Sequence, residues 1–176
     1  MLFTHDTETA LRAAVALANS GAEPDTLTTR DELATFLDEH DYTGTRLGDQ
    51  AELDEVRALR PRLRTLLTGN RDTAAKLVNH LLGEEHALPQ LVRHSGYDWH
   101  IHAVAPGAPL ATRIAVETAM AMIDMIRADE MSRLDLCADP DCDGLVLDLS
   151  RNRSRRFCST TCGNRAAVAA YRARQR

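Results

Sequence analysis

A mainly α-helical chain with one small β-hairpin, closed at its C-terminus by a compact cysteine-rich module of hairpin and helix, is the fold the sequence predicts. Three observations predict it. Apolar residues recur at helical spacing through most of the first two-thirds of the chain. One short stretch, "YDWHIHAVAPG", alternates apolar and polar residues instead. All four cysteines lie between residues 137 and 162, directly ahead of an Ala-rich helical pattern.

The elements follow in order. "TETALRAAVALANS" sets Leu11, Val15 and Ala18 on one helical face, and Gly21 ends it. "TTRDELATFLDEH" opens with Thr29 and carries Glu32 three residues later, a capping-box pattern, before the stripe Leu33, Phe36, Leu37. "DQAELDEVRALRPRLRTLLTG" repeats the device with Asp49 and Glu52, and its stripe runs from Leu53 to Leu67. Pro61 falls inside that stripe and must kink or split the helix, because proline lacks the amide hydrogen and clashes with the preceding turn. "DTAAKLVNHLLG" is a further short helix ending at Gly83. In "YDWHIHAVAPG", Trp99, Ile101 and Ala103 share one face and are expected in the core, leaving Asp98, His100 and His102 towards solvent. "QLVRHSG" is its expected hairpin partner, with Ser95–Gly96 as the turn. "PLATRIAVETAMAMIDMIRADEMSRL" is the longest helix; Pro109 suits its first turn, and its apolar circumference places it in the core.

The chain has 176 residues, 44% hydrophobic, 27% charged and only 4% aromatic, so the core rests on aliphatic side chains. The opening residues lack the basic start and apolar run of a signal peptide, and no apolar run approaches the length of a membrane span. A cytoplasmic location and no membrane partner are the expectations. The net charge of -5 hides a split. Residues 1–136 hold 13 Lys and Arg against 22 Asp and Glu, whereas residues 137–176 hold 8 Arg against 4 Asp. No acid follows Ser150, which points the tail towards an anionic partner.

The cysteines are spaced Cys137-x4-Cys142, fifteen residues, then Cys158-x3-Cys162. Two short-loop pairs one hairpin apart suit a single tetrahedral Zn2+, and in a reducing compartment such a cluster reads as metal ligands rather than disulfides. "DPDCDG" supplies turn residues for the first pair. "LVLDLS" and "RRFCS" are the expected hairpin strands, joined through "SRNRS". "CGNRAAVAAYRARQR" is the expected helix, with Cys162 in its first turn. The result is a treble-clef-like zinc finger. Four thiolates leave no open coordination position, so the zinc is structural, and it contributes about 10 kcal/mol or more to folding so small a unit.

These residues resemble a family. "LVLDLSRNRSRRFC" and "CGNR", with the four cysteines, are similar to the C-terminal module of the CGNR zinc-finger proteins. Asp148, Ser150, Arg151, Asn152, Ser154, Arg155 and Arg156 fit the family's D-x-S-R-N-x-S-R-R core, and Gly163, Asn164 and Arg165 complete it. Many members have four residues between the last two cysteines, whereas this chain has three. "ETALRAAVALANS" and "LRPRLRTLL" look like helices of the family's ABATE-type N-terminal domain. The resemblance implies residues 1–132 as a helical ABATE-like domain, residues 133–176 as the finger, and a bacterial, stress-induced transcriptional regulator.

The arginines carry the functional expectation. Arg151, Arg153, Arg155 and Arg156 lie on or beside the hairpin turn, and Arg165, Arg172 and Arg176 fall on one helical stripe. Guanidinium groups bind phosphate oxygens in pairs, so Arg151, Arg153, Arg155, Arg156, Arg165 and Arg172 are the candidate contacts to duplex DNA. Phe157 and Tyr171 are assigned to the finger core rather than to a base-stacking platform. The alternative is a zinc-stabilised protein-interaction or dimerisation module without DNA binding, its arginines held inside the finger or against acidic protein surface. No nucleophile motif or phosphate loop is present, so no enzyme is expected, and His100 and His102 are the first place to look for one. A homodimer and a small-molecule effector held between the helices and the hairpin complete the expected partners.

Overall fold

The computed structural model describes residues 2–93 and 98–175. In chain order it comprises α1 (His5–Asn19), α2 (Arg30–Glu39), α3 (Gln50–Ala58), α4 (Arg60–Thr68), α5 (Arg71–Glu84), β1 (Gln90–Val92), β2 (His100–His102), α6 (Leu110–Arg127), β3 (Leu134–Leu136), β4 (Leu145–Leu147) and α7 (Thr160–Arg174). It is mainly α, with two small antiparallel hairpins and a C-terminal finger.

The most apolar helix takes the centre. α6 buries Leu110, Ile114, Val116, Ala119, Met122 and Met125, with α1 on one side and α5 on another. α4 packs on α1. Leu11, Leu53, Leu63 and Ile114 are fully enclosed, so an aliphatic core replaces the missing aromatics.

The helix ends follow local chemistry. Thr29 and Glu32 form both halves of a capping box, at 3.2 and 2.9 Å. Asp49 accepts from the Glu52 N–H at 2.9 Å, but the second half is missing. Glu52 is buried and accepts instead from the N–H groups of Leu47 and Gly48, at 3.1 and 2.8 Å, tying down the preceding loop. Arg113 does the same from α6, donating to the carbonyls of Thr43, Thr45 and Ala108. Gly44 is required there. Its φ is +87°, and a Cβ would lie 2.7 Å from the Arg113 guanidinium and 2.8 Å from the Pro106 carbonyl oxygen. Pro61 splits rather than kinks: α3 ends at Ala58, and the proline sits in the first turn of α4.

Three expectations are corrected. First, α6 stops at Arg127, where Asp129 at φ +58° turns the chain; a single 3-10 turn, Met131–Arg133, leads into β3. Second, the first hairpin has the expected strands, with Gln90 opposite His102 and Val92 opposite His100, but its faces are reversed. Trp99 is 63% exposed and Ile101 43%, whereas His100 and His102 are half-buried; Ala103 is buried and Asp98 exposed, as expected. Glu117 of α6 lines the same cavity as both histidines, and the His100 imidazole acts on its carboxyl through space. The Ser95–Gly96 turn, like Arg176, lies outside the described residues.

Third, the finger hairpin pairs β4 with β3, Leu134 opposite Leu147, and not with "RRFCS". The Asp148 carboxylate explains the difference. It takes the N–H groups of Ser150 and Arg155 at 2.8 and 2.7 Å, folding "SRNRS" back on itself so that these amides cannot enter a ladder. β4 is buried on both faces. Leu145 and Leu147 belong to the main core, while Val146 packs with the cysteines.

Candidate metal centre

The four cysteines converge from three places. Cys137 follows β3 directly, and Cys142 lies in the loop to β4. That loop is drawn tight by hydrogen bonds from Cys137 N–H to the Gly144 carbonyl at 2.8 Å and from Cys142 N–H to the Asp139 carbonyl at 3.0 Å. Cys158 precedes α7, held beside the first pair by the bond from Ala138 N–H to the Arg156 carbonyl. Cys162 sits in the first turn of α7, where the Ser159 hydroxyl accepts its N–H at 3.2 Å. The spacing of three residues between Cys158 and Cys162 therefore brings both to the site.

All four sulfurs lie within 4.8 Å of one another. Cys142 and Cys158 are 3.5 Å apart, Cys158 and Cys162 3.7 Å. Tetrahedral zinc with Zn–S near 2.3 Å needs sulfurs about 3.8 Å apart. The residues fit one structural zinc, and no position is left for substrate. The thiols also need the metal. Burial, followed by contact with the other three sulfurs, pushes Cys158 up to about 12. Four thiols this close cannot ionise together without a cation among them.

Donors surround the sulfurs. The N–H of Gly144 points at Cys142 Sγ at 3.4 Å, that of Cys158 at Cys137 Sγ at 3.5 Å, and Arg165 Nη2 at Cys162 Sγ at 3.5 Å. Such groups offset the two net negative charges of zinc with four thiolates, as does the α7 N-terminus at Cys162. Arg165 is itself anchored, its Nε 2.5 Å from the carboxylate of Asp139. Asp139 is 2% exposed and also accepts from the Asp141 N–H. Burial raises its pKa, and the Arg165 guanidinium, the Asp141 N–H and Cys162 together more than offset that, leaving the carboxyl below its usual range.

The sequence did not single out Gly144, Arg133 or Asn19. A Cβ on Gly144 would lie 2.9 Å from Cys158 Sγ and 3.3 Å from Cys142 Sγ, so only glycine admits both sulfurs; its place two residues after a cysteine was the available signal. Arg133 is buried and donates to the carbonyls of Asp148 and Ser150, both at 2.9 Å, and to Glu130 at 2.8 Å, fixing the arginine-rich turn on its hairpin. Asn19, at the end of α1, clamps Leu145 from both sides of the peptide: Nδ2 donates to its carbonyl at 2.9 Å, and Oδ1 accepts its N–H at 2.7 Å.

The six candidate arginines divide. Arg165 holds Asp139 and Cys162, and Arg153 reaches Glu130 at 2.6 Å and the Ser132 hydroxyl at 3.0 Å. Arg155 donates to the Cys158 carbonyl at 3.3 Å, and Arg156 stands over the Phe157 ring at 5.9 Å. Arg151 and Arg172 are exposed and make no side-chain hydrogen bond or ion pair among the described residues. Phe157 belongs to the finger core as expected, but Tyr171 does not: it is 59% exposed, because the only buried residue of α7 is Cys162.

Comparison with known families agrees with this geometry. Residues 133–175 match the CGNR zinc finger. Residues 11–129, more than half the chain, match the ABATE family, described as "Putative stress-induced transcription regulator". No curated protein matches the chain.

Proposed function

Since the chain belongs to the ABATE family and ends in a CGNR zinc finger, we propose that it is a cytoplasmic bacterial transcription regulator whose finger binds duplex DNA. One observation carries the reading. From Ser150 onward every charged side chain is an arginine, and the zinc centre and β4 hold that stretch on the outer side of the finger while Leu145 and Leu147 anchor it in the main core.

Within this reading residues 1–132 sense and residues 133–176 contact DNA. Arg151, Arg156 and Arg172 meet phosphates directly, each as a planar two-donor group. Arg155 does so beside its own backbone contact. Arg153 and Arg165 set the shape of the reading surface, since their guanidinium groups already serve Glu130 and Asp139. Neither matched family is named for a reaction, in keeping with a binding role. No helix among the described residues is long and apolar enough to cross a membrane.

One observation favours a protein contact through the same module. Val168 and Tyr171, one helical turn apart on α7, are 48% and 59% exposed. That is apolar surface suited to a second copy.

Fluorescence anisotropy of labelled duplex with the zinc-loaded full chain, across a salt series, tests the proposal. Affinity should fall as salt rises, with a log–log slope of about 0.9 per phosphate contacted. Arg151→Ala and Arg172→Ala should each lower the slope by about 1. Absence of binding at low salt, or binding unchanged in the double variant, refutes the DNA reading. Self-association lost in Tyr171→Ser would then assign α7 to a dimer.

A further inference from the structure

A cavity of about 550 Å3 opens between α1, the loop after α2, β2 and α6. Sites for small organic molecules have this size. Its apolar wall is made by Ala13 of α1 and Met120 of α6, with Ile101 and Trp99 beyond. Its charge is one-sided: among the described residues five carboxylates line it, against one guanidinium and four imidazoles.

Two polar groups in the wall make no hydrogen bond among the described residues. Tyr42 is 6% exposed, and its hydroxyl makes no hydrogen bond among the described residues. Burial pushes its ionisation well above the ordinary value, so it is a neutral hydroxyl, and it feels the charge of Glu117 close by. Glu117 is likewise fixed by no hydrogen bond there, only by the fields of Arg113 and His100. Arg113 donates to three carbonyl oxygens and makes no ion pair with Glu117 among the described residues, acting on it through its field alone. The Tyr42 hydroxyl is sealed from the cavity, but a mostly buried carboxyl without a hydrogen-bond donor is costly, and a cavity that keeps one in its wall is organised for a donor brought from outside.

We propose that this cavity binds a small organic amine, its ammonium seated on the Glu117 carboxyl and its apolar body lying along Ala13, Met120 and Ile101. An ammonium brings three donors and no acceptor, which is what a carboxylate without a hydrogen-bond donor can use. The acid excess of the lining favours a cation and opposes a carboxylate ligand. Burial holds Glu117 up at about 7, so a cation beside it restores the ionised form that burial disfavours. The reversed hairpin face belongs to this design: His100 and His102, with their Nε2 atoms 3.0 Å apart, complete the polar side of the cavity. The inference rests on residues outside the finger and stands apart from the DNA reading.

Trp99 is the single tryptophan of the chain and lines the cavity, so its emission reports occupancy. The zinc-loaded full chain is titrated with phenethylamine, 2-phenylethanol and phenylacetate, which share one body and carry cationic, neutral and anionic heads. The expected result is a saturable change with the amine, at least about tenfold tighter than with the alcohol, and no saturation with phenylacetate below roughly 10 mM. Glu117→Gln should weaken the amine by about tenfold or more and leave the alcohol within about twofold. Equal affinity for amine and alcohol, tighter binding of phenylacetate, no saturation by the amine at roughly 10 mM, or an amine affinity unchanged in Glu117→Gln overturns the proposal.

Discussion

Asn19→Ala should loosen the finger from the helical body without touching the metal or the arginines. In an antiparallel pair alternate residues of each strand point their peptide groups away from the partner. Leu145 is such a residue. Its N–H and carbonyl face α1, and the Asn19 amide stands in for a third strand. Leu145 is 1% exposed, so removing the amide leaves a donor and an acceptor with little access to water. Each lost bond is worth about 1 kcal/mol net, and each buried group left unpaired costs about 1–3 kcal/mol. The expected loss is about 2–4 kcal/mol, a large share of the 5–15 kcal/mol typical of a whole domain. The assay is urea unfolding of the zinc-loaded chain followed by far-UV circular dichroism. With a slope of about 2 kcal/mol per molar urea, the midpoint should fall by about 1–2 M. Asn152→Ala, on the exposed turn, is the control and should change stability by no more than about 0.5 kcal/mol. A shift for Asn19→Ala no larger than the control would refute the clamp.

Three further outcomes are expected. Gly144→Ala should lower zinc affinity by at least about tenfold in a chelator competition, since its Cβ would press on Cys158 Sγ; unchanged affinity would mean the loop gives way freely. Cys158→Ser should abolish tight zinc binding and also lower the stability of the helical body by several kcal/mol, because Leu145 and Leu147 are shared with its core; a helical body of unchanged midpoint would contradict that sharing. Asp25 accepts from Arg60 at 2.9 and 3.0 Å and from Arg57 at 3.2 Å, and the Arg60 contact, more than burial opposes it, lowers its pKa from 3.8 to about 2. Stability from this group is fully present above about pH 4 and lost as pH falls through about 2. Asp25→Asn should flatten that acid limb, and a limb of unchanged steepness would show that other carboxylates dominate it.

Some of this molecule is written in short stretches of chain. The Thr29–Glu32 capping box, the split at Pro61 and the burial of Leu33, Phe36 and Leu37 each depend on residues within one or two turns. The metal centre is legible for the same reason. Two short loops present paired thiolates, and tetrahedral coordination admits few ways to join them, so spacing alone identifies Cys137, Cys142, Cys158 and Cys162. The motif residues Asp148 and Arg165 were visible too, but their roles were not. Asp148 folds the turn and Arg165 braces the zinc ligands, and a charged residue in a basic stretch carries no mark that tells an internal brace from an outward contact.

What only the tertiary structure decided concerns partners far apart in sequence. Alternation established that "DWHIH" is a strand, but a two-residue period is the same read from either face. In the fold His100 and His102 are half-buried beside the cavity that Glu117 lines, while Trp99 and Ile101 stay largely exposed. β4 was legible as a strand, whereas its neighbours were not: its far edge is closed by Asn19, 126 residues earlier in the chain. Periodicity, caps and ligand spacing are local and survive in the bare sequence. The choice of face, the closing of an edge and the pairing of a buried charge are settled only when distant segments compete for the same surface, and that competition exists only in the folded chain.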